Sequence, residues 1–228
     1  GHFAGSLGTH LSQCTDASMS EVEEAASSIL KHKLAPLLPL RAERVRMARR
    51  LARWLLRPMP TLPTLEDKLS CHADEHAFVD WARFRLLGGD ELPDLSSAYA
   101  RLRTEVAQRR DKLNKDFAIA MAGHLREARP YGIRLLPVES VLERLVGPIS
   151  AAHAVLLLVV DGLSLSIFRE LFERPERHGW LEWLPEQMDR PLLGVAAFPT
   201  VTEVSRASLL CGQVCLGGAS IEKSGFSS

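Results

Sequence analysis

What this chain lacks narrows its identity first. Its longest uninterrupted apolar run, residues 154–160, is far short of the roughly 20 residues that span a bilayer, so no membrane association is expected. The formal net charge is zero. Basic residues slightly outnumber acidic ones before residue 150 and the reverse holds after it, and neither bias is large enough to mark a nucleic-acid partner. Only four cysteines occur, Cys14, Cys71, Cys211 and Cys215, too scattered and in too long a chain to staple a small fold. Reduced thiols in the cytoplasm are expected. Cys211 and Cys215 are four apart, not the C-x-x-C spacing of a zinc knuckle or redox pair. The opening Gly1-His-Phe-Ala-Gly-Ser-Leu-Gly8 has neither the basic nor the apolar part of a signal peptide and no initiator Met, which reads as a fragment edge. No P-loop or dinucleotide fingerprint is present. Gly162-Leu-Ser164-Leu-Ser166 is not the Gly-x-Ser-x-Gly of a nucleophile elbow. Internal repeats are absent.

The composition that remains, 46% hydrophobic and 25% charged over 228 residues, suits one sizeable core or two smaller domains. The first 150 residues read as helical. Ser18 or Ser20 can cap a helix to about Lys33, with Glu21, Glu23 and Glu24 complementing its dipole. Pro36 and Pro39 follow. Residues 41–57 put Val45, Ala48, Leu51 and Leu55 on one stripe and Arg46, Arg49, Arg50, Arg53 and Arg57 on another. That basic stripe is either a solvated face or a contact for nucleic acid or an acidic partner. Three prolines between 58 and 63 form a stiff linker, and Thr64 caps the next helix. There Leu65, Leu69, Ala73, Ala77, Trp81 and Phe84 recur at helical spacing, with Trp81 and Phe84 expected in the core, until Gly88-Gly89. Cys71, His72 and His76 are conceivable ligands, but a helical context assigns them to packing or the surface. Residues 94–127 predict one long amphipathic helix through Leu95, Tyr99, Leu102, Val106, Leu113, Phe117, Met121 and Leu125. Residues 133–136 read as a strand or connector, and a short helix from Val138 to Val146 is expected to close at Gly147-Pro148.

The pattern then changes. Residues 154–160 are continuously apolar and stop at Asp161-Gly162; residues 192–198 are nearly so and lead into Pro199-Thr-Val-Thr202. Such runs predict strands buried on both faces, and ligands gather at the carboxyl ends of such strands in open α/β sheets. The domain boundary is therefore placed near residue 150. Asp161 offers oxygen to a hard or borderline metal ion, or else is a turn residue. A helix of about Ser164 to Phe172 follows it. Thr202 opens a helix over residues 203–210, whose first N–H groups favour an anion; it is either a nucleophile that a metal ion must activate or merely a cap. Arg206, one turn on, faces the same way and suits a phosphate oxygen.

Leu-Leu-Leu-Val-Val-Asp161-Gly together with Phe-Pro199-Thr-Val-Thr202-Glu-Val-Ser-Arg206 resembles the start of a PglZ domain, a branch of the alkaline phosphatase superfamily associated with bacteriophage-exclusion (BREX) defence systems. The likeness covers about residues 153–215. It implies an α/β fold: a helical region over 1–150, then over 151–228 the incomplete N-terminal part of a PglZ domain. It also implies two divalent ions, usually zinc, and a Thr or Ser nucleophile that cleaves phosphate esters, with other defence components as partners. Asp161 matches the first metal-ligating aspartate and Thr202 the nucleophile that also touches metal, with Thr200 as the fallback. Arg206 has no family role. The family's remaining Asp and His ligands come from later strands. His153 precedes the first run, His178 lies in a charged connector, and the other histidines belong to the helical half. A truncated chain, inactive alone, is therefore expected; the alternative is a non-catalytic assembly component of the same system.

Overall fold

The computed structural model describes residues 1–127, 130–172, 179–186, 188–218 and 220–221. It divides into two compact units, residues 1–126 and 127–228. The first unit is helical: α1 His2–Gln13, α2 Asp16–Leu30, α3 Pro39–Leu56, α4 Leu65–Cys71, a π-helical turn His72–His76, α5 Ala77–Arg85, and α6, which begins at Pro93 and runs to Glu127. Helix α1 went unforeseen, although Phe3, Leu7 and His10 recur at helical spacing and are all buried. Helix α2 starts earlier than expected, because Thr15 rather than Ser18 or Ser20 is its cap. The Thr15 hydroxyl accepts from the Ser18 N–H at 3.2 Å while Ser18 answers the Thr15 N–H, a reciprocal capping box. Thr64 caps α4 by the same device with Asp67, as its position predicts.

The expected stripe of α3 is the centre of the core: Val45, Ala48 and Leu51 are fully enclosed, against Val22 and Ala26 of α2, Leu86, and Tyr99, Leu102 and Val106 of α6. Trp81 packs on this cluster, but Phe84 is 65% exposed; the turn at 72–76 alters the register of everything after it, so extrapolated α spacing fails there. Several polar groups inside are paired, while the enclosed Tyr99 hydroxyl finds no hydrogen-bond partner among the described residues. His10 donates from Nε2 to the Ala52 carbonyl at 3.1 Å and takes the Ser18 hydroxyl on Nδ1 at 2.9 Å, joining α1, α2 and α3. Arg110 of α6 makes a two-pronged bond to Asp80 of α5 at 3.1 and 3.0 Å. Arg109 closes the end of α3: it donates to the carbonyls of Leu55, Arg57 and Pro58 at 2.7–2.9 Å and lies 4.4 Å above the Trp54 ring.

In the second unit, β1 Leu135–Pro137 pairs in parallel with β2 Leu193–Val195, Leu136 opposite Gly194. Between them come short turns, α7 Gly147–Ser150 and α8 Leu165–Leu171; α9 Thr202–Cys211 follows. Leu135, Leu136, Val195, Ala197, Val204, Ala207 and Leu209 are its buried apolar residues. The mixed α/β class thus holds in a coarse form, mostly helix with one small parallel sheet. Three expectations do not hold. Residues 154–160 form no strand, and Leu156, Leu158, Val159 and Val160 are each at least half exposed; a buried parallel strand needs a ladder on each side, and the described residues supply a single pair of strands. Gly147-Pro148 begins a helical turn instead of closing one, since proline in a first turn sacrifices no bond. The compact units meet at 126/127 rather than near 150, because β1 already belongs to the second unit's sheet. No helix among the described residues is long and apolar enough to cross a membrane.

Arg109→Met removes three charge-assisted hydrogen bonds and a cation–π contact from the end of α3. It is expected to lower the unfolding free energy of the helical unit by about 3 kcal/mol, measured by urea denaturation followed by far-ultraviolet circular dichroism.

Candidate functional site

Asp161 and Thr202, 41 residues apart, are brought together. The Thr202 hydroxyl faces the Asp161 carboxylate at 3.4 Å, and the Arg206 guanidinium lies 3.8 Å from the other carboxylate oxygen. Each placement has a local cause. Gly162, at φ +70°, makes the abrupt exit that leaves Asp161 at the turn. Ser164 then caps α8, its hydroxyl accepting from the Ile167 N–H at 3.3 Å. On the other side the chain is extended at Val201 and becomes helical at Thr202. Helix α9 is held there by its buried face, Val204, Ala207, Ser208 and Leu209, and ends on Gly212 in the left-handed region. Ser208 accepts from the Cys215 N–H at 3.1 Å, folding the following segment back.

Thr202 is therefore the first helical residue, not the cap. No side chain caps α9, so the threonine hydroxyl is left to Asp161. Its first-turn N–H groups and dipole point to the same end. Arg206 follows one turn later on the same face. Thr200 is exposed in the stretch before the helix, and it is Thr202 that meets the carboxylate.

Asp161 and Thr202 suit one divalent ion as two oxygen ligands. Metal–oxygen bonds of about 2.1 Å at a tetrahedral angle place two oxygens about 3.4 Å apart. They do not amount to a two-ion site: among the described residues no third His, Cys, Asp or Glu donor joins them. His153 is exposed, and His178 lies outside the described residues. The Arg stripe of α3 is largely engaged at home. Arg49 and Arg53 pair with Glu23, Arg57 bonds Glu75 at 2.6 Å, and Arg50 lies 5.0 Å over the Phe78 ring; Arg46 is exposed.

A second cluster joins two of the residues that helical context assigns to packing or the surface, Cys71 and His76, with Glu75, which the sequence does not single out. Cys71, Glu75 and His76 bring their ligating atoms within 4.8 Å of one another, with Cys71 Sγ 3.4 Å from His76 Nε2. At 3.6 residues per turn, positions five apart lie about 140° round the axis, so α-helical reasoning separates them; the π-helical turn 72–76 brings them together. His76 is 3% exposed. Burial, then Arg110 and His72, lowers its pKa from 6.5 to about 4. Burial also lowers His72, with Arg110 assisting. The Cys71 thiol is raised, first by burial and then by Glu75 and Asp74.

Two outcomes follow from this geometry. Since the Thr202 hydroxyl does no capping, Thr202→Ala should leave thermal stability unchanged within about 0.5 kcal/mol, whereas Ser164→Ala should cost about 1 kcal/mol; calorimetry of the two variants checks this. The unfolded chain protonates His76 near pH 6.5, but the folded chain resists until about pH 4. Its contribution to stability is complete above pH 6.5 and falls by about 3 kcal/mol as the pH drops towards 4. Urea titrations at pH 7 and 4.5 should show this loss, and His76→Asn should flatten it.

No known protein family, curated protein or solved structure matches this chain.

Proposed function

We propose that the chain belongs to a metal-dependent phosphate-ester hydrolase, a phosphatase or phosphodiesterase of the PglZ type, acting in the bacterial cytoplasm as part of a phage-defence system. The observation that carries this reading is the meeting of Asp161, Thr202 and Arg206 at the uncapped N-terminus of α9. The resemblance of the residues around Asp161 and Thr202 to the start of a PglZ domain supports it, and an alkaline-phosphatase-like sheet is part of the same proposal.

In this reading Thr202 Oγ1 loses its proton to solvent water and attacks the phosphorus of an ester. The P–O bond to the leaving group breaks, and the departing oxygen takes a proton from water to leave as the alcohol. A second water then hydrolyses the phosphothreonine, returning the threonine hydroxyl and releasing the phosphate or phosphate monoester. Asp161 Oδ1, 3.4 Å away, directs the hydroxyl so that an oxygen lone pair faces the substrate. The first-turn N–H groups of α9 and the Arg206 guanidinium meet the charge that gathers on the non-bridging oxygens. Asp161 and Thr202 would hold a divalent ion, which would supply what the residues lack, stabilisation of the threonine oxygen without its proton near neutral pH. The alternative, a non-catalytic assembly component docking through the α3 arginines, draws little support from a stripe in which Arg49, Arg53 and Arg57 are paired with Glu23 and Glu75.

The test is hydrolysis of aryl phosphate mono- and diesters by the protein with added zinc or manganese. Thr202→Ala and Asp161→Ala should each reduce turnover about a thousand-fold or more, and Arg206→Ala about a hundred-fold, with Thr200→Ala near wild type. Wild-type turnover in both Thr202→Ala and Asp161→Ala removes the proposed mechanism.

A further inference from the structure

We propose that Cys71, Glu75 and His76 form a binding site for a single zinc-class divalent ion in the helical unit, separate from Asp161 and Thr202. Three kinds of donor converge there: a thiol, an imidazole nitrogen and a carboxylate, all within 4.8 Å. Sulfur and nitrogen together select a borderline-soft ion such as zinc over magnesium or calcium. The spacing also fits. With Zn–S about 2.3 Å and Zn–N about 2.0 Å, two ligands of a tetrahedral ion lie about 3.5 Å apart; Cys71 Sγ and His76 Nε2 are 3.4 Å apart.

The donors are held in place independently of any ion. The π-helical turn, which closes with the Ala77 N–H on the His72 carbonyl, puts residues five apart side by side. Such turns are uncommon and concentrate at functional sites. His76 is buried and meets the Trp54 ring edge-on, centroids 6.1 Å apart. Glu75 Oε1 accepts from Arg57 at 2.6 Å, which orients the carboxylate and leaves its other oxygen for an ion. His76 also lines a cavity of about 530 Å³ with Lys68, His72 and Arg110, which gives an ion a route from solvent. On binding, the metal–sulfur bond replaces the S–H bond and the thiol proton leaves to water. The His76 nitrogen that now faces sulfur becomes the second donor, a Glu75 oxygen the third, and water completes the tetrahedron.

The experiment is a cobalt titration of the chelator-treated 228-residue chain under reducing conditions, read by the thiolate-to-cobalt charge-transfer band. This band requires a cysteine ligand, so it is blind to an ion on Asp161 and Thr202. One equivalent should saturate the band, zinc should displace it, and Cys71→Ser should abolish it. Glu75→Gln should weaken binding about ten-fold or more, while Asp161→Asn and the Cys211→Ser, Cys215→Ser pair should leave the band intact. No band in the wild-type chain overturns the site, as does a band that survives Cys71→Ser or disappears with the Cys211 and Cys215 pair. Should Cys71→Ser lose helicity by circular dichroism, Glu75→Gln decides, because its side chain is partly exposed: wild-type affinity there overturns the site.

Discussion

The end of α3 rests on one guanidinium. A helix that stops at Leu56 presents carbonyls that nothing inside the helix can satisfy, and the proline-rich segment after it cannot continue the turn. Arg109, reaching across from α6, satisfies Leu55, Arg57 and Pro58 at once and stacks on Trp54. That contact fixes α3 against α6. It also fixes the plane of Trp54, whose ring meets His76 edge-on, so the π-helical turn and the Cys71–Glu75–His76 cluster stand on the same support. Arg57, the residue that ends α3, bonds Glu75. Helix end, aromatic stack and ligand cluster are thus consecutive links of one packed arrangement.

The second unit is organised by a different constraint. Among the described residues its two strands are only three residues each, parallel, and separated by a long excursion, and a parallel pair of that size buries little by itself. Helix α9 packs against the turn Val138–Ser140 that follows β1, with Val204, Ala207, Ser208 and Leu209 as its buried face. The same helix presents Thr202 and Arg206 at its N-terminal end. Seating α9 therefore positions the polar constellation, and a single element serves both packing and chemistry.

Much of the helical unit is legible in the sequence because its signals are local. The Val45, Ala48, Leu51 stripe, the Thr64 cap and the long periodicity from Leu95 to Met121 each depend on neighbours within four residues, and each corresponds to an observed element. Reading fails where local spacing is altered or where a partner is needed. Phe84 is exposed because the π-helical turn upstream changes the register. Residues 154–160 have the composition of a buried strand, yet a strand exists only through its ladder, and the described residues provide none for it.

The candidate site divides along the same line. Residue order alone singles out Asp161, where an apolar run meets a glycine, and Thr202, where a polar residue opens a helix, because a run's end and a helix's start are matters of adjacent residues. That Asp161 stands within 4 Å of both Thr202 and Arg206 is decided by tertiary structure: no periodicity connects positions 41 apart, and only the seating of α9 does. Cys71 and His76 show the converse. They are close in sequence, but whether they face each other depends on one extra residue in a helical turn, and that choice is made by the packing of Trp54, His76 and Arg109.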